Sequence, residues 1–208
     1  MAEPGDGPDP PLPPADPALL RPLVTVLPAG TALARIHQPR HDPLFFGPPP
    51  GSPPLARFDA PDGGFRTLYA GLSPEAAFAE SIVRRLAGGG LVAWADLAAR
   101  SLARLGVTAE LRLVRLEGPG LARIGATAAV ASGPYRIARA WAAALHAHPD
   151  RPAGLLYRAR HDDAAFCVAL FDRAAAHLAV TGSLPLVADR RRLGALLDRY
   201  GLGLDPER

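Results

Sequence analysis

The chain has 208 residues, of which 49% are hydrophobic and 21% are charged, and its formal net charge is +3. This length fits one domain, or one domain with a tail, and the composition is sufficient for a sizeable core. No apolar run approaches the roughly 20 residues of a membrane helix, and no basic segment precedes an apolar stretch as in a signal peptide. We therefore expect a cytoplasmic protein with no membrane contact.

The N-terminal end differs in composition from the rest of the chain. Residues 1–17 hold four of the 20 acidic residues and no basic one, so the remainder has 23 basic residues against 16 acidic ones. Such a proline-rich, acidic segment buries too little apolar surface to fold. We predict a disordered tail over residues 1–19 and a domain over residues 20–208. Such a basic body could attract nucleic acid, a phosphorylated small molecule or an acidic protein partner. Because its basic residues are scattered, we expect no direct nucleic-acid binding.

The first predicted elements are two short strands followed by a helix. Thr31–His37 and Thr67–Ala70 have the composition of strands. Ser73 is a good N-cap and Pro74 suits the first helical position, which predicts a helix to about Leu86, ended by the glycines at 88–90. Glu80 lies beside the apolar stripe of this helix, near its junction with the sheet.

Strands outnumber helices in the second half of the chain. Strands are predicted at Leu91–Trp94, Leu111–Leu116, Leu155–Arg158, Phe166–Phe171 and His177–Thr181, and helices at Pro134–His146 and Asp189–Tyr200. Because the two kinds of element do not alternate regularly, we predict an α+β fold, a single compact mixed-sheet domain.

Two possible reactive groups have simpler interpretations. Cys167, the single cysteine, lies in an apolar run, which predicts a buried thiol without a catalytic role. His146, His148 and Asp150 match no specific metal spacing, so we assign no metal site.

Three side chains with complementary chemistry follow one another along the chain. Arg57 can clamp a phosphate, Tyr69 can stack or donate a hydrogen bond, and the Glu80 carboxylate can stabilise a cationic ribosyl transition state. Spacing alone nevertheless favours an ion pair between Glu80 and Arg84, four residues further on.

The ordered motifs of the chain resemble the RES domain family. The motifs are Ala34-Arg35-Ile36-His37, Pro43–Gly47, Arg57-Phe58-Asp59-Ala60-Pro61, Leu68-Tyr69-Ala70, Ala77-Phe78-Ala79-Glu80, Gly133-Pro134-Tyr135, Trp141, His146–Asp150, Gly154–Asp162 and Ala169–Arg173. Each motif is weak alone, but their number, order and spacing are specific. The resemblance implies a fold similar to ADP-ribosyltransferase toxins. It also implies a bacterial toxin of a toxin–antitoxin pair that consumes NAD and binds an Xre-like helix-turn-helix antitoxin.

The resemblance also implies roles for individual residues. Glu80 would stabilise the ribosyl cation, Arg35 and Arg57 would hold the pyrophosphate, and Tyr69 would stack near the nicotinamide or orient the ribose. NAD enters as the substrate, so no further cofactor is expected.

Three more residues are assigned to substrate binding. They are His37, Phe58 and Arg160. His37 shares a strand face with Arg35 and is equally open to a structural role, while a polar turn explains Arg160 equally well.

One position departs from the family pattern. Relatives usually have serine where this chain has Ala159, in the run Tyr157-Arg158-Ala159-Arg160-His161. A lost hydrogen bond of roughly 0.5–3 kcal/mol would slow the reaction without abolishing it. The sequence therefore leaves three functions open: NAD hydrolysis or phosphorolysis, ADP-ribosyl transfer to a protein, and a weakened domain that binds nucleotide or an antitoxin-like protein.

Overall fold

A computed structural model describes residues 10–49, 51–86 and 90–205. The strands are β1 (Val24–Leu27), β2 (Ala32–His37), β3 (Thr67–Gly71), β4 (Gly90–Ala93), β5 (Ser101–Val107), β6 (Leu111–Arg115), β7 (Gly154–Ala159), β8 (Asp162–Phe171), β9 (Leu178–Pro185) and β10 (Leu202–Asp205). The α-helices are α1 (Pro74–Ser81), α2 (Trp94–Ala98), α3 (Pro119–Ile124), α4 (Ala129–Ser132), α5 (Tyr135–Ala147) and α6 (Arg190–Arg199).

Eight of these strands form one mixed sheet in the order β1-β6-β7-β8-β3-β2-β5-β9. The β6–β7 pair is parallel and its other neighbours are antiparallel, while β4 and β10 form a separate parallel pair. The predicted α+β domain with a mixed sheet is therefore confirmed. None of the helices among the described residues has the length and apolar character that a membrane crossing requires.

The two faces of the sheet pack against separate apolar clusters because side chains alternate along each strand. One cluster lies under α5 and includes Trp141, Phe58 and Phe171, each almost fully buried. The opposite face contributes Leu68 and Leu105 to a second cluster. A third cluster joins α1 to α2 and α6. Helix α1 is thereby fixed between the sheet and the C-terminal helix.

Helix α1 begins as predicted and ends earlier. The Ser73 hydroxyl accepts the N–H of Ala76, and Pro74 occupies the first helical position. The helix ends at Ser81, and a 3-10 turn over Val83–Arg85 follows. The β-branched pair Ile82 and Val83 disfavours helix continuation at this point. Of the predicted glycine terminator, residues 88 and 89 lie outside the described residues, and Gly90 begins β4.

The predicted tail is partly in contact with the domain. Pro17–Leu19 forms a 3-10 turn capped by the Asp16 side chain. The Trp141 indole donates to the carbonyl of Pro11 at 2.9 Å. Pro11 and the turn Pro17–Leu19 therefore contact α5, and residues 1–9 of the predicted tail lie outside the described residues.

Gly71 allows β3 and α1 to approach closely. A Cβ at this position would lie 2.5 Å from the backbone nitrogen of Ala77 and 2.7 Å from the carbonyl oxygen of Ser73. Because both contacts are backbone atoms, no side-chain rotation relieves them. We expect Gly71→Ala to lower the free energy of unfolding by about 1–3 kcal/mol, measured by urea denaturation.

Gly194 provides the matched control for this substitution. It lies within α6, and a Cβ there would meet nothing within 4 Å. Gly194→Ala is expected to raise the free energy of unfolding by about 0.5–1 kcal/mol, since alanine is the better helix former. Equal effects of the two substitutions would contradict the close approach at Gly71.

Candidate functional site

A cavity of about 520 Å³ opens where β2 and β3 separate. The two strands pair at the single register position Ala34↔Gly71, whereas β2 and β5 pair at six. The cavity is lined by β2, β3, α1, the start of α5 and the turn between β7 and β8. Its volume lies within the range of small-molecule sites, about 300–1,000 Å³.

Arg35 spans the gap between the separated strands. One guanidinium N–H donates to the carbonyl of Tyr69 on β3 at 2.9 Å, and another donates to the carbonyl of Phe45 at 3.1 Å. Its Nε is buried without a hydrogen-bond partner among the described residues. Burial lowers the pKa of Arg35 to about 10, so the side chain stays charged at neutral pH.

Arg57 enters the cavity from the loop before β3. Its guanidinium donates to the carbonyl of Gly133 at 2.7 Å and lies over the Tyr135 ring, 4.7 Å from the centroid. Arg139 covers the same ring at 5.3 Å. Burial lowers the pKa of Arg57 from its usual value, but an arginine remains cationic under these conditions.

Glu80 projects from the last turn of α1 into the cavity. Its Oε1 accepts the backbone N–H of Arg160 at 2.9 Å. No ion pair joins it to Arg84 in the described part of the chain; both residues line the cavity. The contact that the spacing favoured is therefore replaced by one to the turn between β7 and β8.

The turn between β7 and β8, which contacts Glu80, is also held by residues at the end of α6. Asp162 Oδ2 accepts from the Arg199 guanidinium at 3.0 Å and lies 2.9 Å from the Tyr200 hydroxyl. That hydroxyl also lies 3.1 Å from the carbonyl of Glu75 on α1. The C-terminal helix thus fixes the segment that carries Arg160 and His161 at the cavity rim.

Tyr69 and Tyr157 both line the cavity, but their hydroxyls differ. The Tyr69 hydroxyl donates to Asp59 Oδ1 at 2.9 Å and accepts the N–H of Phe58 at 2.8 Å. The Tyr157 hydroxyl has no hydrogen bond to any residue that the structure describes. Burial and the nearby Glu80 carboxylate raise the pKa of Tyr157, so it remains a neutral donor.

Two predicted binding residues lie outside the cavity lining. His37 is buried, with its ring nitrogens 3.0 Å from the carbonyl of Gln38 and 3.3 Å from the Ser183 hydroxyl. Phe58 is fully buried and packs edge to face on Tyr157, with centroids 4.9 Å apart. Phe58 therefore supports the wall of the cavity from behind.

The cavity is strongly cationic. Among the described lining residues, Glu80 alone is a carboxylate, and five are arginines: Arg35, Arg57, Arg84, Arg100 and Arg160. Low-dielectric walls focus such a field, which favours an anionic ligand. A guanidinium also matches the geometry of phosphate oxygens.

The prediction from sequence omitted several lining residues. Tyr135 and Tyr157 occur in the motifs noted above, but nothing in a motif alone shows that they reach the cavity. Arg100 is buried beside it although it lies between α2 and β5, which no sequence pattern linked to the site. These residues lie well beyond Glu80 along the chain, so the sequence did not show that they line the same cavity.

The cysteine and one of the histidines considered from the sequence are buried and contact the protein backbone. Cys167 is buried, its thiol lies 3.7 Å from the carbonyl of Ala76, and burial raises its pKa, which leaves a poor nucleophile. His148 is buried at the end of α5, where its Nδ1 accepts the N–H of Asp150. No cluster suited to a metal ion occurs within the described ranges.

Comparison with known proteins gives a consistent family and fold. The model of the RES domain matches residues 32–189. A "Probable toxin y4kH" of Sinorhizobium fredii (strain NBRC 101917 / NGR234) is 32% identical over 109 residues, which cover 52% of this chain and 85% of the relative.

A chain in the crystal structure of the M. tuberculosis MbcT-MbcA toxin-antitoxin complex has the same fold. The TM-score is 0.56 at 18% identity, over 76% of this chain and 85% of that one. The family match spans every residue that lines the cavity. The protein belongs to the RES domain family.

Proposed function

We propose that the protein is an NAD-degrading toxin that cleaves the bond between nicotinamide and ribose. The observation that carries this proposal is one carboxylate, Glu80, among five arginines in a cavity of about 520 Å³. The arginines suit the pyrophosphate of a dinucleotide. The carboxylate suits the positive charge that develops on the ribose as the bond breaks.

The single carboxylate is chemically informative. An ordinary glycosidase needs a second carboxyl group to protonate the departing oxygen. Nicotinamide departs from NAD as a neutral base, so its departure needs no proton. One carboxylate is therefore sufficient for NAD, whereas it is insufficient for an O-glycoside. NAD is therefore favoured over other sugar substrates that carry phosphate.

In the proposed mechanism the cavity binds and orients the dinucleotide. Arg35 and Arg57 hold the pyrophosphate, the Tyr157 hydroxyl faces the substrate, and Glu80 stabilises the ribosyl cation. Water as the acceptor gives ADP-ribose, nicotinamide and a proton. Inorganic phosphate as the acceptor gives ADP-ribose 1″-phosphate and nicotinamide.

The biological role that we propose follows the relatives. One relative is named a probable toxin, and the structural match comes from a toxin–antitoxin complex. We therefore propose that a small antitoxin, of the Xre-like helix-turn-helix type, binds this chain and restrains its activity in the bacterial cytoplasm.

Nicotinamide release tests the proposed activity. Purified protein is incubated with NAD in phosphate-free buffer and again with inorganic phosphate, and the products are separated by chromatography. Release in either buffer is expected, and the second product identifies the acceptor. A folded protein that releases no nicotinamide in both buffers would contradict the proposal.

Ala159 supports a second candidate, a domain with reduced turnover. It is buried on β7, two residues from Tyr157 on the same strand face and next to Arg160, whose N–H contacts Glu80. We expect Ala159→Ser to raise kcat for NAD by about 2- to 100-fold, the value of one hydrogen bond. The measurement is initial-rate nicotinamide release. An unchanged kcat in a folded variant would show that the missing hydroxyl is not limiting.

A further inference from the structure

The loop of residues 54–59 carries Arg57 into the cavity and is organised by Asp59. Asp59 is buried, with 2% of the residue exposed. Its Oδ2 accepts the N–H groups of Leu55 at 2.9 Å and Ala56 at 2.6 Å, and its Oδ1 accepts from the Tyr69 hydroxyl at 2.9 Å. One buried carboxylate therefore joins two loop amides to a side chain of β3.

The Tyr69 hydroxyl is fully used by this arrangement. A tyrosine hydroxyl has one proton to donate, and that proton goes to Asp59. Its oxygen accepts the N–H of Phe58, which lies next to Arg57 in the same loop. Burial and the Asp59 carboxylate also raise the pKa of Tyr69 well above its usual value. The hydroxyl therefore has no proton left for a substrate.

The other contacts of the loop lead to the start of α5. Arg139 donates to the carbonyls of Ala56 at 3.1 Å and Pro54 at 3.0 Å. Arg57 itself donates to Gly133. The loop is thus held on one side by α5 and on the other by Asp59 and Tyr69, with Arg57 between the two attachments.

We propose that Asp59 and Tyr69 form a clamp that positions Arg57, and that the Tyr69 hydroxyl acts on this loop instead of on substrate. Both are positioning residues, and neither donates a proton in the reaction. The ligand that Arg57 binds rests on the proposed function, whereas the clamp itself rests on the contacts within the protein.

Amide hydrogen exchange of the full chain tests the clamp without any ligand. Tyr69→Phe removes only the hydroxyl, so the Phe58 amide loses its acceptor and should exchange at least about tenfold faster. Asp59→Asn leaves one acceptor oxygen where the carboxylate has two, so either the Leu55 and Ala56 amides or the Tyr69 hydroxyl loses its acceptor. Amide exchange within residues 54–59 should therefore accelerate similarly. The double variant should show less than the combined effect, since the two residues act as one unit.

Kinetics and a control variant separate positioning from general destabilisation. In Tyr69→Phe and in Asp59→Asn, KM for NAD should rise at least about fivefold. In each of them kcat should stay within about threefold of wild type, because Glu80 is unchanged. Tyr157→Phe, which removes the other cavity-facing hydroxyl, should leave exchange in residues 54–59 at the wild-type rate.

The outcomes distinguish the clamp from the proposed function. Wild-type exchange at Phe58 in folded Tyr69→Phe protein would overturn the clamp and leave NAD cleavage standing. A wild-type protein that releases no nicotinamide would overturn NAD cleavage and leave the exchange result valid. If Asp59→Asn yields no folded protein, the Phe58 amide in Tyr69→Phe decides the proposal alone.

Discussion

Glu80→Gln is expected to lower kcat for nicotinamide release by at least about 100-fold and to leave KM within about threefold. Glutamine keeps an oxygen that accepts the Arg160 N–H, the contact that Glu80 makes at 2.9 Å. The substitution therefore removes the negative charge and preserves the local geometry. The substitution should lower kcat without changing substrate binding, since the cation that Glu80 stabilises develops only in the transition state.

Glu75→Gln is the matched control on the same helix. Glu75 lies in the first turn of α1 and does not line the cavity. Its replacement removes one carboxylate near the helix N-terminus, which costs up to about 1 kcal/mol of stability. Nicotinamide release should stay within about twofold of wild type. Retained activity in Glu80→Gln, or an equal loss in both variants, would contradict the role assigned to Glu80.

Arg57→Met is expected to raise the dissociation constant of ADP-ribose by about 10- to 100-fold, measured by calorimetry. ADP-ribose carries the pyrophosphate and lacks the nicotinamide, so its affinity reports the phosphate contacts separately from bond cleavage. Methionine keeps an unbranched apolar stem over the Tyr135 ring and removes the charge. The difference in ADP-ribose affinity between Arg57→Met and wild type should be smaller at high salt, because the wild-type contact is electrostatic and is screened.

Arg139→Met separates phosphate binding from support of the loop. Arg139 lies over the same Tyr135 ring and holds the same loop, but it does not line the cavity. Its replacement loosens the loop but leaves the Arg57 guanidinium in place, so the dissociation constant of ADP-ribose should rise by about fivefold, less than in Arg57→Met. If the two variants lost affinity equally, Arg57 would act only by supporting the loop.

Local sequence signals predicted the elements that carry strong patterns. The N-cap at Ser73 with Pro74, and the apolar runs of β7 and β8, correspond to elements in the structure. Strand β5 was missed because its buried positions include the small residues Ser101 and Ala103, which give a weak strand signal. Strand β10 has four residues and exists through its pairing with β4.

The short helices were also absent from the prediction. Helices α3 and α4 have six and four residues and lack side-chain caps. Segments of this length are marginal without tertiary packing. Their formation depends on burial of Ile124 and Val130 under the sheet, which periodicity over so few residues does not reveal.

By itself the sequence identified the family pattern and five residues that the fold brings into one cavity: Arg35, Arg57, Tyr69, Glu80 and Arg160. Those residues belong to short motifs that can be recognised from their order along the sequence. Only the tertiary structure decided which of their polar atoms are free. Glu80 contacts a residue 80 positions away instead of Arg84, and the Tyr69 hydroxyl is taken by Asp59. A hydrogen bond depends on distances of about 3 Å between atoms that folding brings together, and residue spacing carries no such information.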